Sequence, residues 1–471
     1  MYLIILFFPL LFCIDVQSSS TEMVHSKLKN VLPEMSGNCA SSDFAHFSLV
    51  QPSYYLHSRT KTQISSTKHN PNSKKHLSHL TIKYSLNHTL YMLDLSLNKE
   101  LLTGSYVEKH QENGAYIIRN RTDANDIELC HYKGVLRDVP GSWVAISTCD
   151  NIIRGVIYDG SELNYIEPFF NNRTINSVSN PSIHAEDEGG TNQTTDSSGL
   201  GQHILYKNSD FESHHKYECG YKSTHHQFRS KRGTLTRQKP IRDPWNANDK
   251  SRYLELVLVV DNTMYNMLNR DTRQVIVRCK DIANIVHALY EKLNIMIALV
   301  GVVVWTQRDE IEIDIDSGKT LNRFLTYRRD KLLKDHPNDN AQLLTGKSFN
   351  NDTIGKSYKG VVCTSVGSGG INVDKNGVVG LVAGTVAHEM GHSLGMDHDD
   401  TECVCPSGVC VMGRSQSSVN PSGWSSCSEQ YLAISFDRGM DYCMRNKPAA
   451  LFNGPVCGNG FVEEGEACDC G

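Results

Sequence analysis

After its first fourteen residues the chain has no apolar run long enough to cross a membrane. It also lacks an excess of positive charge: Lys and Arg number 47 against 52 Asp and Glu, a formal net charge of −5. That balance argues against a nucleic-acid partner and is silent about other substrates. The N-terminus lacks the basic residues that usually open a secretory leader, yet residues 1–14 are apolar and lead into Asp15 and the small residues Ser18 to Ser20. Pro9 interrupts this run, which is too short to span a bilayer comfortably. Residues 1–19 therefore read as a signal peptide, with a short membrane anchor as the alternative. From Pro455 to Gly471 the chain cannot bury a core, and this stretch reads as the opening of a further cysteine-rich module.

A chain of 471 residues is too long for one ordinary domain, and two or three are expected. Its fifteen cysteines crowd towards the C-terminal half. With the leader and the sequons at Asn87, Asn120, Asn172, Asn192 and Asn351, they indicate disulfide staples in an oxidising compartment.

Residues 79–97 alternate with period two around a polar turn near Asn87, the signature of a hairpin, and 143–157 read as a second strand pair around Asp150. A β-rich domain is expected there. Residues 171–201, rich in Ser, Asn, Thr and Gly, read as a linker. Arg229, Lys231 and Arg232 suit the acidic cleft of a secretory processing protease cutting after Arg232; a solvated charge run is the alternative. From Tyr253 the pattern changes to a buried strand (253–260), a helix (271–293), strands at 295–305 and 310–315, an amphipathic helix (321–333), and short strands at 341–344 and 371–373. A helix follows near 429–438. Strands alternating with helices indicate an α/β layer fold.

The most specific segment is His-Glu-Met-Gly-His-Ser-Leu-Gly-Met-Asp-His-Asp, residues 388–399. His388 and His392, four apart, share one helix face. Gly395 permits a sharp turn, so that His398 can return as a third ligand. Three imidazoles suit a catalytic zinc ion, which uses three protein ligands and keeps one position open. Glu389, next to the first ligand, is placed to act as general base.

These residues and their flanks resemble the ADAM/reprolysin (adamalysin-like) zinc metalloproteases of the metzincin clan. Asp399 after the third histidine is typical of that family, and Met412 in Cys410-Val411-Met412 matches its Met-turn. The resemblance implies a metzincin catalytic domain, α/β with a twisted mixed sheet and an active-site helix, preceded by a β-rich prodomain. The implied division is signal peptide 1–19, propeptide 20–232, linker 233–250, catalytic domain 251–449, and the start of a truncated disintegrin-like module at 450–471. It implies the disulfides Cys130–Cys149, Cys363–Cys443, Cys403–Cys427 and Cys405–Cys410. It also implies a structural calcium held by Glu255, Asp339, the Cys443 carbonyl and Asn446, all oxygen donors. A salt bridge is the other reading of Glu255. Cys219-Gly220 stands where the family often carries a zymogen cysteine switch, although Tyr217-Glu218 replaces the usual preceding proline. A Cys39–Cys219 disulfide is the alternative. Cys279 has no obvious partner and reads as a buried free thiol. The pairs His214-His215 and His225-His226 read as solvated loop residues.

The expectation is a zymogen endopeptidase, secreted or at the cell surface, acting on extracellular or membrane-anchored proteins. Its substrate would lie extended along an edge strand near 370–373, with a specificity pocket shaped by the loop 413–424. The expected partners are protein substrates, a secretory processing protease, and an integrin through the disintegrin module. One competing reading is an adhesion protein with an idle protease domain. Another is a soluble, toxin-like protease that attacks matrix.

Overall fold

The computed structural model describes residues 46–56, 62–70, 74–120, 127–169, 201–210, 217–221, 251–375, 377–406, 408–416 and 421–448. Outside them lie the leader (1–19), most of the linker, Cys39, the sequons Asn172 and Asn192, the paired histidines, Arg229, Lys231, Arg232, and the cysteine-rich 450–471.

The described chain is built on two sheets. The first has ten antiparallel strands, all from the N-terminal half. Its hairpin His79–Leu86/Thr89–Leu97 turns at Asn87 and His88, both with positive φ (48° and 63°), which matches the right-handed twist of the flanking strands. Trp143–Ser147 and Arg154–Tyr158 pair around Asp150, the second strand pair that the sequence suggested.

The second sheet has nine strands. In chain order they are β1 (Leu102–Glu112), β2 (Ala115–Arg119), β3 (Tyr217–Cys219), β4 (Arg252–Val260), β5 (Ile295–Val304), β6 (Asn340–Thr345), β7 (Thr353–Ser357), β8 (Gly369–Val373) and β9 (Ser415–Gln416). Their spatial order is β9-β3-β7-β8-β6-β4-β5-β1-β2. The central block β8-β6-β4-β5 is parallel, and its strands are almost wholly buried. That burial explains their near-continuous apolar runs.

Residues 310–315 were expected as a strand, and the structure corrects this: they form a loop. The edge of β5 that such a strand would need is taken by β1, paired in parallel from the N-terminal half. Glu310 instead accepts hydrogen bonds from Tyr116 (2.8 Å), Gln111 (2.9 Å) and Lys331 (2.9 Å).

The long helix α1 (Thr272–Glu291) starts at Asp271, whose carboxylate caps the Arg273 and Gln274 amides. It packs on β5 and also on the ten-stranded sheet. Its polar residues meet N-terminal partners: Asn284 accepts from Asn98 (3.0 Å), Asp281 bonds His131 (3.0 Å), and Glu291 pairs with Lys133 (2.6 Å). Cys279 lies buried within this helix as a free thiol. The helix α2 (Ser317–Tyr327) follows, then the site helix α3 (Val379–Ser393), and last α4 (Ser426–Asp437).

Candidate active site

Helix α3 is rich in small and apolar residues and buried along nearly its whole length, so its two histidines sit in a dry floor. It ends at Ser393 with Leu394 as its C-cap, and Gly395 adopts φ +101°, a conformation disfavoured for other residues, which turns the chain back. His398 thereby returns to the helix. The Nε2 atoms of His388 and His392 lie 3.3 and 3.2 Å from that of His398.

The far ring nitrogens fix the tautomers. His388 Nδ1 donates to the Val411 carbonyl (2.6 Å), and His392 Nδ1 donates to the Met396 carbonyl (3.0 Å). Burial holds the imidazoles neutral, pushing His388 down to about 4, His398 down to about 3 and His392 well below its usual value. The Nε2 atoms of His388 and His392 therefore carry lone pairs, and both point at one ring that has at most one hydrogen there to share. A cation resolves that crowding. Three neutral nitrogens with oriented outer partners are the donor set zinc takes.

Glu389 is buried beside them. Burial raises its carboxyl to about 7, against the lowering effect of hydrogen bonds from Ser357 and Cys219. Cys219 Sγ stands 3.3 Å from Glu389 Oε1 and 3.5 Å from His392 Nε2. Its sulfur and one nitrogen of each histidine all lie within 4.8 Å of one another. The Cys219 thiol is free, and burial followed by the Glu389 charge pushes it well above the ordinary range.

Strand β3 delivers this thiol. It runs parallel to β7 (Glu218 opposite Thr353, Cys219 opposite Gly355) and antiparallel to β9. Gly220 N donates to the Gly355 carbonyl at 2.9 Å. The Tyr221 ring then lies over His392 and His398, with centroids 4.4 and 5.6 Å away.

The expectation that an extended substrate would lie along 370–373 is corrected. That segment is β8, and its two sides are filled by β7 and β6. The strand bordering the site is β7. Nothing in Thr-Ile-Gly-Lys-Ser signals a strand, so β7, Gly355 and Ser357 were missed, as was Tyr221.

Met412 is fully buried beneath the site helix, so close that a Cβ on Gly391 would lie 2.5 Å from its sulfur. Its carbonyl accepts from Asp399 N (2.8 Å), and the Asp399 carboxylate accepts from Ser425 Oγ (2.5 Å). The structure joins Cys130 to Cys149, Cys363 to Cys443, Cys403 to Cys427 and Cys405 to Cys410.

Away from this cluster, Glu255 N donates to Asp339 Oδ2 and Asp339 N donates to the Glu255 carbonyl, both at 2.9 Å. Burial and the Glu255 charge push Asp339 up to about 7, and burial also raises Glu255. Among the described residues no basic side chain forms an ion pair with Glu255, so the salt-bridge reading finds no partner there. The turn Tyr442–Arg445, which carries Cys443 and precedes Asn446, packs against β4.

Residues 252–448 match the model of the reprolysin (M12B) family of zinc metalloproteases. Over 390 residues the chain is 34% identical to the human "Disintegrin and metalloproteinase domain-containing protein 19", covering 81% of this chain and 37% of that protein. It is 32% identical over 396 residues to "Zinc metalloproteinase-disintegrin-like atrase-B" of Naja atra, covering 83% and 61% respectively. To the mouse "Disintegrin and metalloproteinase domain-containing protein 12" it is 34% identical over 409 residues, covering 85% and 42%. The chain thus spans less than two thirds of the length of these relatives.

Proposed function

The chain belongs, through residues 252–448, to the reprolysin family of zinc metalloproteases, and from that premise we propose that it is the zymogen of a zinc endopeptidase of the secretory pathway. One observation carries the reading: three neutral imidazoles converge beside the Glu389 side chain and a cysteine from the N-terminal half.

His388, His392 and His398 hold the ion. When bound, zinc supplies Lewis-acid polarisation of the scissile carbonyl and of a water. Glu389 takes the proton from the attacking water and returns it to the departing amine nitrogen. Its Oε1 faces the cleft at the Cys219 sulfur, whereas Oε2 is turned towards β7. Cys219 serves as the latch of the silent form. Residues 20–232 are the propeptide, and cleavage after Arg232 precedes its release. Once β3 leaves, the side of β7 is open to an extended peptide held by backbone pairing.

Glu255, half-buried, and Asp339, buried, two adjacent acids that form no side-chain ion pair among the described residues, would hold a calcium ion with the Cys443 carbonyl and Asn446. The substrates are extracellular or membrane-anchored proteins, and an integrin partner would act through the module that opens at 450–471.

The deciding experiment is a peptide-library digest with the processed enzyme, with and without a chelator. The reading expects cleavage that the chelator abolishes and zinc restores. Cleavage indifferent to the chelator would remove the metal mechanism.

A further inference from the structure

The Glu389 carboxylate does not hang free from its helix. Ser357 Oγ, buried at the end of β7, lies 2.7 Å from Glu389 Oε2 and 2.8 Å from the Glu389 main-chain carbonyl. That carbonyl also lies 3.4 Å from Ser393 Oγ, so the single Ser357 hydrogen is best used on the carboxylate. Two residues earlier on the same strand face, Gly355 leaves the space that the other oxygen needs: a Cβ there would stand 2.4 Å from Glu389 Oε1. Backbone pairing of β7 with β8, Ser357 opposite Gly370, holds both residues in place. One oxygen is thus tied back and the other is given room towards the Cys219 sulfur.

We propose that Ser357 is a positioning residue for the general base: its hydroxyl anchors Glu389 Oε2 so that Oε1 faces the cleft, where the reaction needs an acceptor. The inference rests on the endopeptidase reading. It assigns the orientation of the base to the strand that also borders the substrate. An acceptor held on one bearing costs nothing to reorient at the moment of attack, and small misplacements of such a group lower rates steeply.

The test compares Ser357→Ala and Ser357→Thr with the parent, both as processed enzyme and as uncut chain. In the processed enzyme the alanine variant should lose roughly tenfold or more in kcat, with KM changed less than about twofold. Zinc content per chain and melting temperature should stay near the parent's. Threonine, which keeps the hydroxyl, should recover most of the rate. In the uncut chain, iodoacetamide labelling of Cys219, read on its peptide by mass spectrometry, should be several-fold faster for Ser357→Ala, because Oε1 is no longer held towards the thiol. An alanine variant with parental kcat, or a folded, zinc-loaded threonine variant as slow as alanine, would overturn the proposal. So would Cys219 labelling unchanged by Ser357→Ala. If the parent cleaves nothing, the endopeptidase reading fails, and the labelling result still decides the role of Ser357.

Discussion

The nine-stranded sheet receives strands from the N-terminal half at both of its sides, and the two junctions are built differently. Away from the site, the eleven-residue β1 pairs with β5 at Leu102 and, after a register shift, from Val107 to His110, and it brings its own hairpin partner β2. Ion pairs reinforce it: Lys280 of α1 pairs with Glu108 in a buried contact at 2.9 Å, and Lys109 pairs with the exposed Asp335 at 2.7 Å. At the site, β3 has three residues and shifts register within its pairing with β7. Its distinctive contribution is one sulfur atom among three imidazoles and a carboxylate. The broad junction is held by area and ion pairs, the narrow one by a chemically specific contact. Changes at the narrow side should alter activity with little effect on folding, and changes at the broad side the reverse.

The largest effect is expected at the base itself. Glu389→Ala in the processed enzyme should retain zinc and lose roughly 10⁴-fold in peptide turnover. Near-normal hydrolysis, measured with zinc content on the same sample, would take Glu389 out of its role. Next comes the narrow junction. Cys219→Ala in the uncut chain should raise cleavage of a reporter peptide from background towards the processed rate, with the melting temperature little moved. A silent variant would mean that coverage by β3 and Tyr221, and not the sulfur, closes the site.

At the broad junction, Lys280→Ala strands the buried Glu108 carboxylate and should destabilise the uncut chain by about 3–5 kcal/mol in denaturant titrations. The processed enzyme should keep its turnover. Equal losses in both forms would erase the contrast between the junctions.

The smallest effect concerns acid. His203 accepts from Ile153 N through Nε2 (3.1 Å) and donates from Nδ1 to the Gly201 carbonyl (2.9 Å), and burial pushes it down to about 4. Its folded pKa lies below the unfolded value of about 6.5, so the unfolded chain binds more protons between them. Stability from this residue is present above about pH 6.5 and is lost as pH falls towards 4, at most about 3 kcal/mol. His203→Gln should flatten that part of the stability profile of the uncut chain. An unchanged slope would assign the acid sensitivity to other groups.

Much of the site could be read directly because ligation demands residue types at fixed spacing. His388, His392, Gly395 and His398 show it without knowledge of the fold. Ser357 and Gly355 could not be read that way. Their importance depends on β7 lying against the site helix, and Thr-Ile-Gly-Lys-Ser carries neither alternation nor an apolar run. The error at 310–315 has a related cause. Glu-Ile-Glu-Ile-Asp-Ile alternates well, but strand formation needs a free neighbour, and a segment about two hundred residues earlier holds that place. The buried strands β4 and β5 were legible because burial on both faces leaves an unbroken apolar run.

Helix α1 carries a further implication. The face it turns to the N-terminal sheet includes Asp281, Asn284 and Glu291, each engaged now and each well suited to water. Should the two halves part, these three side chains would exchange their partners for solvent, but the apolar part of the seam, where Trp143, Val156 and Tyr165 share one core with Ile285 and Leu289, would be bared beside them. The seam is therefore mixed, wettable along one flank and greasy along the other, so a catalytic half freed along it would bare a patch that invites a new cover.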